Sequence, residues 1–373
     1  MYEAIRVGKA MKKHKIFSFF SGSGLLDLAF EQCGYEVAFA NEYFQPFADA
    51  YIYSRQKLNI QLPEFGVNVC SIDDYLDEKN LEIKSNIMTA RDEALSVGFI
   101  GGPPCPDFSI GGKNKGVLGE NGKLSRSYFS LILDVKPDWF VFENVKGLWR
   151  TKKHRAFYEE MKTKLSAEYA LSERLFNSLE AGAPQDRDRI ILFGIRKSVS
   201  KLANINWEKG LKFPKRTAFE EFPWVNETPF NEGGLLPKPN NVPLELTVEY
   251  WFNKNEVLSH PNAQDCFKPK AGIEKFKSIA EGDVSRKSSK RLHRWRYSPT
   301  AAYGNNEVHL HPYKARRISV AEALAIQSMP KEFELPKSMT LTNKFKTIGN
   351  GVPYLLGEHL AMRIKGYLDE NFV

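Results

Sequence analysis

The sequence predicts an α/β protein with a doubly wound, mainly parallel sheet, accompanied by a second, smaller and irregular domain. Short apolar runs alternate with helical patterns up to about residue 197, as expected when crossover helices join parallel strands. Several of these runs end in glycine or in a polar residue, where open α/β sheets place their ligands. The alternation then disappears until about residue 314, which indicates where the second domain lies.

The composition is that of a globular protein with a basic surface. The chain has 373 residues, of which 42% are hydrophobic and 26% charged, enough for a large core and two domains. Because it has no apolar stretch of about 18 residues and no secretory pattern at its start, we expect a cytoplasmic protein without a membrane partner. The net charge of +8 favours a polyanionic partner such as nucleic acid.

The four cysteines, Cys33, Cys70, Cys105 and Cys266, are widely spaced. They form no C-x-x-C pair, which argues against a structural zinc site and against a disulfide framework. We therefore expect reduced thiols and no metal site.

The first β-turn-α unit covers residues 16–30. Its strand leads through Phe20 into a turn in which Gly22 and Gly24 let the backbone approach a ligand at the start of the helix. A tight turn without a ligand is at least as compatible with two glycines.

A second strand at residues 37–40 leads to Glu42, which lies about 20 residues beyond the glycines. Nucleotide-binding folds contact ribose hydroxyls with a carboxylate at this spacing. A solvated charge at a strand end is the alternative interpretation. A third unit at 68–74 is followed by polar, poorly periodic sequence up to residue 97.

Residues 101–109 carry Cys105 in a rigid setting. The apolar run 97–100 reads as a buried strand, which two glycines and two prolines end abruptly. The prolines restrict the backbone, so the thiol can be held in one pose, and we interpret Cys105 as a nucleophile. A buried structural cysteine is the alternative. Residues 110–122 form a glycine-rich, basic loop.

A helix is predicted over residues 128–135, and the next strand brings Glu143 to the same edge of the sheet as Cys105. Burying an unpaired carboxylate is expensive, so Glu143 must reach solvent or have a dedicated partner.

Residues 151–175 read as a basic amphipathic helix and a strand, and Arg187 and Arg189 precede a further strand at 190–195. The two arginines share one face of an extended segment. A charged edge neutralised by the neighbouring aspartates is the alternative.

Residues 286–297 are the most basic part of the second domain, with six basic residues, two aromatic residues and no acidic residue. This composition suits contacts to phosphates and bases, although a solvated basic face remains an alternative. Further on, Ser319 and Glu322 form a capping box that opens an amphipathic helix. A final helix is predicted over 354–368.

In chain order the sequence contains Phe-Ser-Gly-Ser-Gly at 20–24, Asn-Glu at 41–42, Pro-Pro-Cys at 103–105, Glu-Asn-Val at 143–145, Gln-x-Arg-x-Arg at 185–189, Arg-x-Ser-x-x-Glu at 317–322 and Gly-Asn-Gly-Val-Pro at 349–353. This ordered series resembles the motif series of the bacterial DNA cytosine-C5 methyltransferases of restriction-modification systems. The resemblance spans both ends of the chain and leaves only the middle uncovered.

The resemblance implies a Rossmann-like sheet that binds S-adenosylmethionine, with a target-recognition domain as the irregular part. The cofactor-binding residues that it implies are Phe20, Gly22, Gly24, Leu25, Glu42, Ser71, Ile72, Pro104, Leu124, Asn350 and Gly351. One departure concerns the aspartate with which the family holds the adenine amino group. Here Ser71 stands at that position, so either Ser71 makes a weaker contact or Asp73 substitutes.

The resemblance also implies a mechanism. Cytosine C5 is a poor nucleophile, and the Cys105 thiolate must first add to C6. Glu143 would hydrogen-bond or protonate N3, Arg189 would hold O2, and Arg187 would hold a neighbouring phosphate or loop. Because C6 cannot be reached inside a duplex, the cytosine is expected to flip out, with the loop 110–122 as a lid.

The expected partner is double-stranded DNA. The residues expected to contact it are Ser109 at the end of the cysteine segment, Lys113 and Lys115 in the glycine-rich loop, and Arg286, Lys290, Arg291, Arg294 and Arg296 in the basic segment. Because Asn350 must reach the cofactor, residues 1–197 and 342–373 are expected to form the catalytic domain, and residues 198–341 the recognition domain and hinge. We expect a monomer, with a cognate restriction endonuclease as a second candidate partner.

Three other functions are weighed against this one. An RNA cytosine methyltransferase of the same family is disfavoured by the long middle region and the absence of a Cys-Phe-Thr tripeptide. A non-catalytic DNA-binding member of the family should have lost Cys105, Glu143 or the cofactor glycines, and none is missing. A nicotinamide-dependent dehydrogenase would leave Cys105 unexplained and lacks the third glycine of its fingerprint.

Overall fold

A computed structural model describes residues 13–104, 120–150, 152–213, 220–269, 272–286, 288–303 and 307–372. The strands are β1 (His14–Phe19), β2 (Glu36–Asn41), β3 (Val67–Asn68), β4 (Ser96–Gly101), β5 (Trp139–Val145), β6 (Tyr169–Asn177) and β7 (Asp188–Arg196). Within the described ranges they form one seven-stranded sheet in the order β3-β2-β1-β4-β5-β7-β6.

The winding direction of the sheet reverses between β1 and β4. Strands β1 to β5 run parallel to one another, and the chain runs from β1 outward to β3 before it returns to the other side of β1 as β4. Strand β7 is antiparallel to both β5 and β6. Such a reversal opens a crevice at the carboxyl ends of the two central strands, where open α/β sheets bind their ligands.

The helices are α1 (Leu25–Gln32), α2 (Gln45–Lys57), α3 (Asn80–Glu93), α4 (Glu120–Val135), α5 (Gly147–Arg150), α6 (Lys152–Leu165), α7 (Val248–Lys254), α8 (Ile273–Lys277), α9 (Val320–Ile326), α10 (Leu341–Asn350) and α11 (Tyr354–Asn371). Helices α3, α4 and α6 cover one face of the sheet, and α1 and α11 cover the other. The predicted doubly wound α/β fold is therefore confirmed.

Because successive side chains of a strand point to opposite faces, the sheet contributes apolar residues to a core on each of its sides. One face buries Phe17, Phe99, Phe140 and Leu192. The opposite face buries Ile16, Ile100, Val141 and Ile191. Strands buried on both faces are apolar at consecutive positions, which is why they were recognisable as short apolar runs.

The last helix packs against the first β-α unit. The Tyr35 hydroxyl donates a hydrogen bond to the Ala361 carbonyl at 3.1 Å, and His14 Nε2 lies 3.0 Å from Asp369 Oδ1. A Cβ on Gly357 would lie 2.9 Å from that of Ala29, so α11 approaches α1 closely. The two ends of the chain thus share one layer of the fold.

A third apolar core joins the middle of the chain to α1 and α2. Its members include Leu25, Leu28, Phe47, Val248, Trp251, Ile318, Leu324, Phe345 and Ile348. Among the described residues from 198 to 319, α7 and α8 are the only α-helices and no strand joins the sheet, in agreement with the predicted irregular region.

Two helices differ from the sequence prediction. Helix α3 occupies part of the stretch read as poorly periodic, because it buries only the narrow stripe of Ile83, Ile87 and Ala90. Helix α4 begins at Glu120 rather than at Tyr128, so the end of the predicted glycine-rich loop is helical. The capping box of Ser319 and Glu322 is present as predicted.

The contact between Gly98 and Trp139 provides a test of the pairing of β4 with β5. A Cβ on Gly98 would lie 2.0 Å from the Trp139 ring on the neighbouring strand. Overpacking of this kind costs about 1–3 kcal/mol, so we expect Gly98→Ala to lower the free energy of unfolding by that amount in urea titration. Gly366→Ala is the control, because no atom lies within 4 Å of its Cβ position in α11. Equal stability of Gly98→Ala and wild type would contradict this packing.

Candidate active site

Five strand ends meet at one edge of the sheet. Strands β1, β2, β4 and β5 present their carboxyl ends there. Because β7 is antiparallel to β5, it begins at this edge, and Arg189 is the register partner of Val145. Residues that are far apart in the sequence are therefore brought together by the direction of the strands alone.

The turn after β1 has an unusual backbone. Phe20, Gly22 and Gly24 have φ angles of 54°, 58° and 76°, all in the left-handed region. Glycine adopts this conformation freely, whereas for Phe20 it costs about 1–3 kcal/mol, the range of strain found at functional sites. The Ser21 amide donates a hydrogen bond to the Asn41 carbonyl at 3.1 Å, which joins the turn to the end of β2.

Glu42 is held against this turn by backbone donors. Its carboxylate accepts hydrogen bonds from the amides of Gly22 and Phe44, both at 2.9 Å. Burial raises the pKa of Glu42, which these two hydrogen bonds oppose. Glu42 is therefore an oriented carboxylate beside a glycine turn and not a solvated charge at a strand end.

Buried charges support the turn from below, and the sequence prediction missed them. The Arg55 guanidinium donates to the Gly24 carbonyl at 2.9 Å and to Glu31 at 2.9 Å. A Cβ on Gly24 would lie 2.2 Å from that guanidinium, so Gly24 is required for space as well as for φ. Asp27 accepts a hydrogen bond from Ser18 at 2.8 Å, and burial raises its pKa to about 6.

The end of α10 lies against the same turn. The Ser23 and Thr347 hydroxyls hydrogen-bond at 2.8 Å. A Cβ on Gly351 would lie 2.5 Å from Leu25 Cδ2, so this position has no room for a larger residue. Asn350 is exposed at this junction. The turn and the loop that follows α10 thus form one surface.

The segment after β3 supplies Ser71, Ile72 and Asp73. Ser71 Oγ accepts a hydrogen bond from the Asp73 amide at 3.2 Å, and Ile72 is buried. The Asp73 carboxylate accepts from the Ser127 hydroxyl at 2.5 Å and lies 3.5 Å from Lys123 Nζ. Asp73 is therefore engaged by α4, the helix that also carries the half-buried Leu124.

Glu143 has the dedicated partner that its burial requires. Its Oε1 lies 2.6 Å from Nε of Arg189, and both side chains are at most one tenth exposed. A Cβ on Gly102 would lie 2.7 Å from Glu143 Oε2, so the segment leading to the predicted nucleophile passes directly over this carboxylate. Asn144 Nδ2 also lies 3.5 Å from the Pro103 carbonyl. Pro104 is described, whereas Cys105 lies outside the described residues.

Arg187 holds a loop. It is buried, and it donates to the carbonyls of Gly349 at 2.7 Å and Ala301 at 3.2 Å. Burial, followed by the like charge of Arg189, lowers the pKa of Arg187. Of the two expected roles, phosphate or loop, the second agrees with this geometry.

The basic segment 286–297 is divided between interior and surface, which corrects one expectation. Arg291 is fully buried and donates to the carbonyls of Ile279, Phe276 and His311. Arg294 is buried in a bidentate pair with Glu281, at 2.8 Å for each contact. Neither guanidinium is available to a DNA phosphate, so the prediction that they contact DNA is wrong.

Arg286, Lys290 and Arg296 remain at least partly exposed. Arg296 lines a groove of about 410 Å³ together with Asn226, Glu227, Gly282, Val284 and Ser285. The other residues predicted to bind DNA, Ser109, Lys113 and Lys115, lie outside the described residues. In the part of the chain that the structure describes, every helix is too short or too polar to span a lipid bilayer.

Comparison with known proteins identifies similar sequences over nearly the whole chain. The family model of C-5 cytosine-specific DNA methylases matches residues 14–366. Type II methyltransferase M.NmeDI from Neisseria meningitidis serogroup C is 54% identical over 371 residues, which cover 99% of this chain and 87% of that protein. Type II methyltransferase M.FnuDI from Fusobacterium nucleatum is 28% identical, with 96% of each chain covered.

Solved structures show the same fold at low sequence identity. A protein encoded within an E. coli prophage and described as a DNA modification methyltransferase has a TM-score of 0.62 at 19% identity, with 96% of this chain and 100% of that chain covered. The S. pombe Dnmt2 methyltransferase has a TM-score of 0.57 at 9% identity, with 95% and 99% covered.

Measurements of stability can test whether the basic segment 286–297 is divided between the interior and the surface. Removing one partner of a buried ion pair costs about 3–5 kcal/mol, so we expect Arg294→Ala to lose that much free energy of unfolding because the buried Glu281 carboxylate is left without its cation. Arg296→Ala, from the partly exposed side of the same segment, should change stability by less than about 0.5 kcal/mol. Chemical denaturation gives the free energy of unfolding of both variants. Equal stability of the two variants would show that Arg294 does not point inward.

Proposed function

The chain belongs to the family of C-5 cytosine-specific DNA methylases and is a DNA cytosine-C5 methyltransferase; from this premise we propose that it transfers a methyl group from S-adenosylmethionine to C5 of a flipped-out cytosine within a specific duplex sequence. The observation that carries this proposal is the meeting of Glu143, Arg189 and Gly102 at the edge of the sheet that also holds Glu42 and the turn after β1.

The residues at this edge fit S-adenosylmethionine. Glu42 is a carboxylate that two backbone amides already orient, which suits an acceptor for the two ribose hydroxyls. Gly22 has a left-handed backbone without a side chain, which leaves room for a close approach. The residues proposed to hold the cofactor are Phe20, Gly22, Gly24, Leu25, Glu42, Ser71, Ile72, Pro104, Leu124, Asn350 and Gly351.

For the adenine contact we favour Ser71 over Asp73. The Asp73 carboxylate already has a partner in Ser127 and a cation, Lys123, nearby. Ser71 Oγ accepts one amide hydrogen bond, and its O–H and a second lone pair remain for a ligand. A hydroxyl can therefore replace the expected aspartate, as a weaker, uncharged partner.

The proposed reaction begins on the cytosine ring. The Cys105 thiolate adds to C6, and the electrons of the C5–C6 double bond move toward C5 and N3. Glu143 delivers a proton to N3 or hydrogen-bonds it, which stabilises the charge that accumulates on the ring. Arg189 holds Glu143 in place and presents a cationic group beside O2. When bound, S-adenosylmethionine supplies the electrophilic methyl group. Once C5 carries the methyl group, its proton is lost to solvent, the C5–C6 double bond forms again, the Cys105 thiolate leaves, and any proton on N3 returns to Glu143.

The proposed DNA contacts follow the exposed half of the basic segment. Arg286, Lys290 and Arg296 supply positive charge for phosphates, and the groove beside Arg296 contains side chains able to hydrogen-bond base edges. Ser109 and, in the loop 110–122, Lys113 and Lys115 are further proposed contacts to DNA, and that loop is the proposed lid over the flipped base.

We also propose the domain division 1–197 with 342–373, and 198–341. The Ser23–Thr347 hydrogen bond and the packing of α11 on α1 support the first unit. We propose a monomer as the active form. Because its relatives are named Type II methyltransferases, we also propose a companion endonuclease, whose sites the enzyme protects.

The nucleophile can be tested by covalent trapping. Cys105→Ser replaces a thiol with a hydroxyl of far higher pKa, so we expect methylation to be lost while cofactor binding stays close to wild type. Duplex that carries 5-fluorocytosine at the target should trap the wild-type enzyme as an adduct stable to denaturing electrophoresis. An adduct formed by Cys105→Ser would show that another residue is the nucleophile.

The role of Glu143 as the acid can be tested by an isosteric substitution. Glu143→Gln can still hydrogen-bond the ring but cannot deliver a proton, so we expect turnover to fall about a hundredfold or more with DNA affinity retained. Glu173→Gln on β6 is the matched control, since Glu173 is also a paired carboxylate on a strand of the sheet but does not contact Glu143. Single-turnover methylation at saturating cofactor is the measurement, and unchanged turnover would remove Glu143 from the mechanism.

A further inference from the structure

We propose that Gln327, the residue that follows α9, is a positioning residue for the loop 349–353, which carries Asn350 to the cofactor. The inference rests on the proposed function, because that loop is proposed to bind S-adenosylmethionine. No side chain of α9 is among the residues that the sequence predicts for the site.

The loop 349–353 consists of the last two residues of α10, Gly349 and Asn350, and the short connection to α11, so it joins two helix ends that leave backbone groups unsatisfied. The last carbonyls of α10 and the first amides of α11 have no partner within their own helices. The Gly351 amide donates to the carbonyls of Thr347 at 3.1 Å and of Ile348 at 3.3 Å, but Pro353 supplies no N–H, and the first amides of α11 must find their partners outside this segment. Any residue that pairs with both helix ends therefore fixes the conformation of the loop between them.

Gln327 pairs with both ends. Its side-chain amide donates to the carbonyls of Ile348 and of Gly351, the latter at 3.3 Å. Its backbone carbonyl accepts a hydrogen bond from the Tyr354 amide, the first of α11, at 2.8 Å. The side chain of Gln327 is completely buried, so water cannot replace these contacts. One residue thus spans the loop from before Gly349 to after Pro353.

A second glutamine fixes the orientation of the Gln327 amide. Only an NH₂ group can face two carbonyls, so Gln327 Oε1 points away from the loop, toward Gln185 Nε2 at 3.0 Å. Gln185 is oriented in turn, because its Oε1 accepts from the Ala301 amide at 3.0 Å and from Arg187 at 3.4 Å. Both amides therefore have a single orientation that satisfies all of their neighbours.

Ser328, which follows Gln327, has a strained backbone conformation. Ser328 has a φ of 53°, a left-handed conformation that costs about 1–3 kcal/mol outside glycine. In this conformation Ser328 Oγ accepts a hydrogen bond from the Leu355 amide at 3.1 Å. Gln327 and Ser328 together therefore cap the first turn of α11, and the unfavourable backbone is tolerated where it holds the loop.

The same network reaches the strand that carries Arg189. Arg187 donates to the Gly349 carbonyl at 2.7 Å and contacts Gln185, so the loop is held from α9 and from the start of β7 together. Asn350 itself is exposed and takes its position from this backbone. Loss of Gln327 should therefore weaken cofactor binding more than it slows the chemical step.

The test is Gln327→Met, which keeps the length of the side chain and removes its donors and acceptor. We expect the dissociation constant for S-adenosylmethionine, measured by calorimetry on the whole protein, to rise about tenfold or more. The KM for the cofactor should rise in parallel, while kcat at saturating cofactor stays within about threefold of wild type. Ser319→Ala is the matched control, because it removes the capping box at the other end of α9 and touches no residue of the loop.

A second variant keeps the test decisive if Gln327→Met does not fold. Gln185→Leu leaves Gln327 in place but removes the group that orients its amide, so we expect a smaller rise of about threefold in the cofactor dissociation constant. Wild-type affinity in both variants, or an equal loss in Ser319→Ala, would overturn the positioning role. A wild-type protein that does not bind S-adenosylmethionine would instead overturn the proposed function.

Discussion

The antiparallel direction of β7 is the constraint on which the site depends. A parallel strand at this position would carry its first residues to the opposite edge of the sheet, away from the carboxyl end of β5. Reversal places Arg189 diagonally across from Glu143 on one face, where their side chains meet at 2.6 Å. Each charge is buried, and neither could be buried alone at tolerable cost. The ion pair therefore allows a carboxylate to be kept away from water at the point where the base is proposed to be protonated.

In three other places, buried side chains with several hydrogen-bond donors hold the backbone in position. Arg55 supports the turn after β1, Arg187 and Gln327 hold the loop after α10, and Arg291 ties together three segments of the irregular region. In each place the backbone carbonyls belong to turns and helix ends, where a buried side chain can add a donor to whatever backbone partner the carbonyl has. A guanidinium supplies five donors from one side chain and suits this task. An arginine-rich sequence in a loop-rich region thus has an interior use as well as a surface one.

What the sequence could and could not predict depends on whether a feature is set by local patterns or by distant partners. The strands, the positions of Glu42 and Glu143 at strand ends, and the capping box of Ser319 depend on local patterns and could be read directly. Arg291 and Arg294 could not be separated from Arg296, because their burial depends on Glu281 and on carbonyls supplied by residues 276 to 314. Helix α3 was missed because its buried stripe is narrow. Gln327 carried no local signal, since its partners lie at residue 185 and at residues 348–354.

The core that joins α1 to the middle of the chain adds a constraint on how the two proposed domains can move. Leu25 and Leu28, at the start of the helix that follows the cofactor turn, share this core with Ile318 and Leu324. Phe345 and Ile348 of α10 belong to the same core, so apolar packing is continuous across residue 342. Opening the protein at that boundary would expose a packed interior, at roughly 25 cal/mol for each Å² of apolar surface. Any movement between the proposed domains must therefore leave this core packed, which keeps α9, α10 and the loop that Gln327 holds together with the cofactor edge.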